Sequence, residues 1–253
     1  ASQLAALVEM DERAQLLAEH FWPGPLTLVL PQKAGSGASK LASAGLPSLA
    51  VRIPSHPVAQ ALLKEANIPV VAPSANRSGQ LSSTTPLHVL ESLGDGVNLI
   101  LGAGRCPVGV ESTIVDLTGK QAIMLRPGAI TRTQIEELLG PVAATEGNAL
   151  LPNAPGQLQS HYAPHAKLRM EAKSAADDEA LLAFGPELGI KGGKLRLNLS
   201  PSGDLHEAAA NLFAMLHELD KPGIAAIAVM SIPDIGLGLA INDRLRRAAA
   251  PRD

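Results

Sequence analysis

The segment Pro73–Thr85 reads PSANRSGQLSSTT and gathers Ser74, Asn76, Arg77, Ser78, Gly79, Ser82, Ser83, Thr84 and Thr85 behind the apolar stretch Pro69–Ala72. Small hydroxyls, an amide and a glycine let backbone N–H groups approach a phosphate or a ribose closely. A loop that follows a strand is also where α/β folds place ligands. By spacing alone, a plain Ser/Thr-rich surface loop accounts for the segment slightly better. It matches neither G-x-x-x-x-G-K-[ST] nor G-x-G-x-x-G.

Arg52 stands inside Leu49–Ile53, LAVRI. A guanidinium flanked by Val51 and Ile53 needs solvent or an anionic partner, such as a carboxylate or a phosphate. An outward-facing strand residue is an equal alternative. Ser112 lies in GRCPVGVESTIVDL, Gly104–Leu117. No histidine neighbours it and no G-x-S-x-G elbow surrounds it, so a hydrogen-bonding or structural role fits better than a nucleophile. Arg126, in LRPG, ends an apolar run before a turn and could bind an anion or pin the turn. His161 and His165 flank Tyr162 in SHYAPHA. Histidines at that spacing bind zinc on a helix, but Pro164 between them argues against one, so no metal site is expected. The chain's single tyrosine there asks for a packing or lid role.

Strands and helices alternate around these residues. Leu26–Leu30, Leu49–Ile53, Pro69–Ala72, Val97–Leu101, Thr113–Leu117 and Gln121–Arg126 read as strands. A first helix runs through Leu4, Leu7, Val8, Leu16, Leu17 and His20 until Pro23 ends the pattern. Ser55–Ala66 and Pro86–Leu93 are further helices, and Thr131 with Gln134 forms a capping box before Ile135, Leu138 and Leu139. From Gly140 to Ala166 periodicity gives way to Pro, Gly and Asn. A second unit follows, with strands at Ala180–Phe184, Leu195–Leu199 and Gly223–Met230. Its helices are Asp204–Leu219, capped by Asp204, and the basic Leu239–Ala249.

Bulk properties set limits. The 253 residues are 46% hydrophobic but only 2% aromatic, so the core must be aliphatic. No apolar run reaches the roughly 18 residues of a membrane span, and no signal peptide is read at the start. Cys106 stands alone and can form no internal disulfide, which fits a reducing, cytoplasmic compartment. A net charge of −3 and scarce aromatics argue against a dedicated nucleic-acid binder.

Seven segments, in order, resemble the YrdC family in its longer, two-domain threonylcarbamoyl-AMP synthase form. They are FWPGPLTLVLP (Phe21–Pro31), VRIPSHPVA (Val51–Ala59), APSANRSG (Ala72–Gly79), GVESTIVD (Gly109–Asp116), LRPGAI (Leu125–Ile130), the linker PGQLQSHYAPHA and the tail GLGLAINDRLRRAA (Gly236–Ala249). The resemblance implies an α/β protein. Residues 1–140 would be a YrdC-like twisted open sheet with helices, and residues 141–166 a linker or lid. Residues 167–253 would be a smaller Rossmann-like α/β domain. The family's Lys- and Arg-containing phosphate motif has no counterpart before Phe21, so the chain is expected to begin inside a domain. The implied reaction makes L-threonylcarbamoyl-AMP from L-threonine, bicarbonate and ATP, with release of pyrophosphate, for tRNA modification. Arg52, Ala72 (through its backbone) and Ser112 would contact threonine. Ser48, Ser74, Asn76, Ser82, Arg126 and Tyr162 would contact ATP. No covalent catalytic residue is implied, Mg2+ would accompany the nucleotide, and the product would pass to tRNA-modifying proteins without a membrane. Two alternatives remain at this point: a non-catalytic RNA-binding module, and a carbamoyl-transfer domain, which the lone cysteine disfavours.

Overall fold

The computed structural model describes residues 2–144, 161–187 and 190–251. In chain order the elements are α1 Ser2–Leu7, α2 Glu12–Phe21, β1 Leu26–Pro31, β2 Ser48–Val51, α3 Pro57–Ala66, α4 Pro86–Leu93, β3 Thr113–Asp116, β4 Ile123–Arg126, α5 Arg132–Leu139, β5 Ala143–Ala144, β6 Lys167–Arg169, β7 Ala180–Ala183, β8 Leu195–Asn198, α6 Leu205–Leu219, β9 Ala226–Val229 and α7 Leu237–Ala249. They form two compact units that do not follow chain order. Residues 2–73 and 111–144 make one; residues 74–110 join those from 161 onward in the other.

The first unit is a mixed sheet in the order β2-β1-β3-β4-β5. Strand β1 alternates as a two-sided strand must. Leu26, Leu28 and Leu30 enter a core with Leu17, Val115, Met124 and Ile135, while Val29 meets Ile114 and Leu125 on the other face. The expected first helix is two. Val8 forms an antiparallel bridge with Gln32, and the Asp11 carboxylate then accepts the Ala14 N–H at 2.9 Å and starts α2 afresh. The capping box at Thr131 and Gln134 forms as expected and opens α5.

The second unit holds a wholly parallel sheet in the order β6-β9-β7-β8. All four residues of β7 are buried. Helix α6 starts at an Asp204 cap and buries Ala209, Leu212, Leu216 and Leu219. Leu81 and Val110 pack into the same core as Leu212 and Phe213, which is how residues 74–110 join this unit. The approach at Gly109 admits only glycine: φ is +76°, and a Cβ would lie 2.0 Å from the Ala209 carbonyl oxygen.

Two expected strands do not form. Pro69–Ala72 and Val97–Leu101 are irregular, and Val71 and Leu99 are 68% and 76% exposed. A strand persists only as a member of a ladder, and no described residue pairs with either segment. Residues 145–160, which carry most of the expected linker, lie outside the described residues.

Candidate functional site

In the first unit, three of the sequence motifs converge. Strands β1 and β3 run parallel and β3 and β4 antiparallel, with a register shift between Ile114 and Val115. Such a shift re-aims side chains at a strand end. The buried Ser112 hydroxyl, just ahead of β3, lies 2.7 Å from the Thr27 hydroxyl and accepts an Arg126 Nη2–H at 3.1 Å. Arg126 Nε donates to the Ser112 carbonyl at 3.0 Å. Thr113 seals the neighbouring turn: its hydroxyl donates to the Ile130 carbonyl at 2.6 Å and accepts the Ile130 N–H at 3.1 Å. Gly128 fits beneath, where a Cβ would sit 2.4 Å from the Thr113 nitrogen. This is cation-assisted hydrogen bonding, and the partners of the serine side chain among the described residues are a hydroxyl and a guanidinium, which suit positioning and neutralising an anion rather than activating a nucleophile.

Arg52 follows β2 directly and is exposed. Surrounding protein still desolvates it and lowers its pKa, though a guanidinium stays charged at neutral pH. It forms no hydrogen bond or ion pair with a described residue, so its charge is free for a ligand. Ser48, half-buried, pairs with Pro31 at the start of β2. Ala72 lies in the exposed irregular stretch rather than on a strand.

In the second unit, the Ser74–Thr85 loop is held by side chains. Buried Asn76 donates from Nδ2 to the carbonyls of Arg77 at 3.0 Å and Gln80 at 3.1 Å, and its Oδ1 has no donor among the described residues. Arg77 reaches the Ser92 carbonyl at 2.9 Å and ties the loop to α4. Ser74 is exposed, whereas Ser82 is 9% exposed.

Tyr162 is enclosed: 2% exposed, its ring 5.5 Å from that of Phe213, with the Arg244 guanidinium carbon 5.6 Å over its face. Its φ of +62° places a bulky side chain in the left-handed region, which costs on the order of 1–3 kcal/mol and persists only where packing imposes it. Both sides of it are tied. The His161 N–H donates to the Arg247 carbonyl at 3.2 Å and the Ala163 N–H to the Gly79 carbonyl at 2.8 Å. Asp220 accepts the His165 and Ala166 amides at 2.8 and 2.9 Å. The ring is thus a core element of this unit in the described conformation.

Thr27, Asp220 and a histidine pair, His88 and His217, escape a reading by motif. Only Thr27 leaves a trace, as the one polar residue within LTLVL.

The whole described chain has counterparts among known proteins. A family model described as Telomere recombination (Sua5, YciO and YrdC) matches residues 1–128, and one described as Threonylcarbamoyl-AMP synthase, C-terminal domain matches residues 130–250. The chain belongs to the two-domain threonylcarbamoyl-AMP synthase family. Among members of that family, the threonylcarbamoyl-AMP synthase of Pyrococcus abyssi is 36% identical over 259 residues, covering 96% of this chain and 76% of its own. The Bacillus subtilis enzyme of the same name is 35% identical over 257 residues, covering 95% and 74%. The crystal structure of Pyrococcus abyssi Sua5 complexed with L-threonine superposes with a TM-score of 0.88 at 32% identity, over 98% of this chain and 77% of that one.

Proposed function

We propose that this protein condenses L-threonine, bicarbonate and ATP into L-threonylcarbamoyl-AMP and pyrophosphate, and that the adenylate serves tRNA modification. The threonine amine attacks the bicarbonate carbon and a C–O bond breaks, so that water leaves and a carbamate remains. A carbamate oxygen then bonds to the α-phosphorus of ATP as the bond to the pyrophosphate oxygen breaks. No enzyme nucleophile is required, only positioning and neutralisation of phosphate charge.

The convergence of Thr27, Ser112 and Arg126 carries this reading, because it supplies a cation and hydroxyls without a nucleophile–base pair. In the proposal Arg52, Ala72 and Ser112 receive threonine, with Arg52 answering its carboxylate. Ser48, Ser74, Asn76, Ser82, Arg126 and Tyr162 serve ATP. For Tyr162 the enclosed ring makes that service an anchor for the Gly79–Gln80 backbone rather than a stacking face. Magnesium enters as part of the ATP complex; among the described residues no cluster of three His, Cys, Asp or Glu side chains is placed to hold a metal. No helix among the described residues is long and apolar enough to cross a membrane. The proposal places the protein in the cytoplasm, handing its product to tRNA-modifying proteins. It also keeps the sequence division into residues 1–140, 141–166 and 167–253.

The test is pyrophosphate release from ATP. It should require threonine and bicarbonate together; release that persists when threonine is omitted overturns the assignment.

A further inference from the structure

Helices α4 and α6 each send one imidazole to the same point. His88 lies in the first turn of α4, its amide bonded to the Thr85 cap at 3.2 Å, and His217 lies in the last turn of α6. The rings stack with centroids 3.9 Å apart and planes 27° apart. Each then makes one bond to the backbone of the loop between Leu81 and Thr85. The Thr84 N–H donates to His88 Nδ1 at 3.3 Å, with the Thr84 hydroxyl at the same distance. His217 Nε2 lies 3.2 Å from the Ser82 carbonyl oxygen. Thr84 is 3% exposed, and its own carbonyl accepts the Cys106 N–H at 2.8 Å.

These partners determine where the protons are. A backbone N–H donates only to a bare nitrogen, so the His88 proton sits on Nε2. A carbonyl accepts only from N–H, so His217 carries a proton on Nε2. The His88 ring is therefore neutral in this arrangement. A second proton on His88 must go to Nδ1, which turns an acceptor into a donor facing a donor. A second proton on His217 places a full charge against the stacked ring. The surroundings resist both events. Desolvation lowers both pKa values first. His217 lowers that of His88 further, as do Lys221 and Arg105, against Glu91; for His217, the bond to Ser82, Asp220 and Glu91 oppose the burial and Lys221 adds to it.

We propose that His88 and His217 are a pair of positioning residues that hold Ser82–Thr84 in its nucleotide-receiving form while His88 is neutral, and that a proton on His88 Nδ1 releases the Thr84 amide. The functional half of this rests on the assignment of Ser82 to ATP. The structural half does not, so the two can fail separately.

The test uses the isotope-labelled full chain without ligand, followed by NMR from about pH 7.5 to about pH 5.5, across the ordinary imidazole pKa of about 6.5. The Thr84 amide shift should follow the His88 ring, with a midpoint below that value. ATP affinity, measured by calorimetry over the same range, should fall about 2- to 12-fold, the worth of one lost hydrogen bond. The variant His88→Asn/His217→Gln keeps an acceptor at Nδ1 and a donor at Nε2 but cannot titrate. Whatever its affinity at the upper pH, on acidification it should lose only what ionisation of ATP itself takes from both proteins. His88→Asn alone gives the Thr84 readout if the double variant does not fold. A Thr84 amide indifferent to the imidazole, or parallel losses of affinity in the native and double-variant proteins, overturns the proposal. An amide that follows the ring while ATP binds at no pH overturns the nucleotide assignment and leaves the hold on the loop standing.

Discussion

Ser112 and Ser82 are both buried, and each stands just ahead of a regular element, yet they are held by opposite means. Ser112 is placed by the strands around it: Thr27 comes from β1 and Arg126 from β4, and their register sets the 2.7 and 3.1 Å contacts. Ser82 lies on irregular chain, and its carbonyl meets an imidazole from α6. A ladder shares its load over many backbone bonds and responds little to solution conditions. A loop held in part by side chains can be loosened at those bonds, and by pH. The first suits a fixed anion site, and the second suits a loop that must admit and release a ligand.

Two glycines give the contrast its hardest test. Gly128→Ala drives a Cβ into the backbone of Glu111 and Thr113, and should cost about 3 kcal/mol or more because the clash is with backbone rather than with a flexible side chain. Gly79→Ala meets nothing within 4 Å and should cost only the left-handed penalty, about 1–2 kcal/mol. Urea unfolding of each variant gives the comparison; equal losses would mean that the two turns are equally rigid. Next in size is Arg52→Ala. With no partner to lose among the described residues, it should leave the fold unchanged and weaken threonine binding by about 1.5–3 kcal/mol, the worth of a charged hydrogen bond. Unchanged threonine affinity by calorimetry would remove Arg52 from the site. The smallest effect belongs to Thr27→Val. It removes one of two partners of the Ser112 hydroxyl and should cost about 0.5–1.5 kcal/mol in stability, read as a shift in unfolding midpoint.

Acid should distinguish the halves as well. The His88 and His217 pKa values lie below the ordinary imidazole value, so the folded state binds protons less readily than the unfolded chain. Their contribution to stability is complete above about pH 6.5 and is lost as pH falls through the lowered folded values. Hydrogen exchange should then loosen around Ser82–Thr84 before it loosens around Ser112–Thr113.

Local signals were legible in the sequence. The helix at Pro86–Leu93, the Thr131 capping box and the Asp204 cap all depend on residues within one turn of each other. Strand formation was not local. PVVA at Pro69–Ala72 and ALLA at Ala180–Ala183 look alike, yet the first is exposed and irregular while the second is buried between β8 and β9. The difference lies in the partners, which no four-residue window contains. The short strand β6, Lys167–Arg169, was missed because KLR carries a polar pattern at a sheet edge. The motifs found Ser112 and Arg126 but not their meeting, which depends on strand order. The place of Tyr162 was set by Phe213 and Arg244, both distant in the chain.

The core of the second unit is built from residues made far apart in time. Val110 leaves the ribosome about 100 residues, and Leu81 about 130 residues, ahead of Phe213, the residue whose cluster they complete. At about 5–20 residues per second, the shorter gap is a wait of roughly 5–20 s with apolar side chains unmatched. Synthesis therefore passes through a stage in which the nascent chain carries a ready but unfilled seam. Slowing translation between these points should lengthen that exposure and increase chaperone capture, whereas slowing it after α6 has emerged should not.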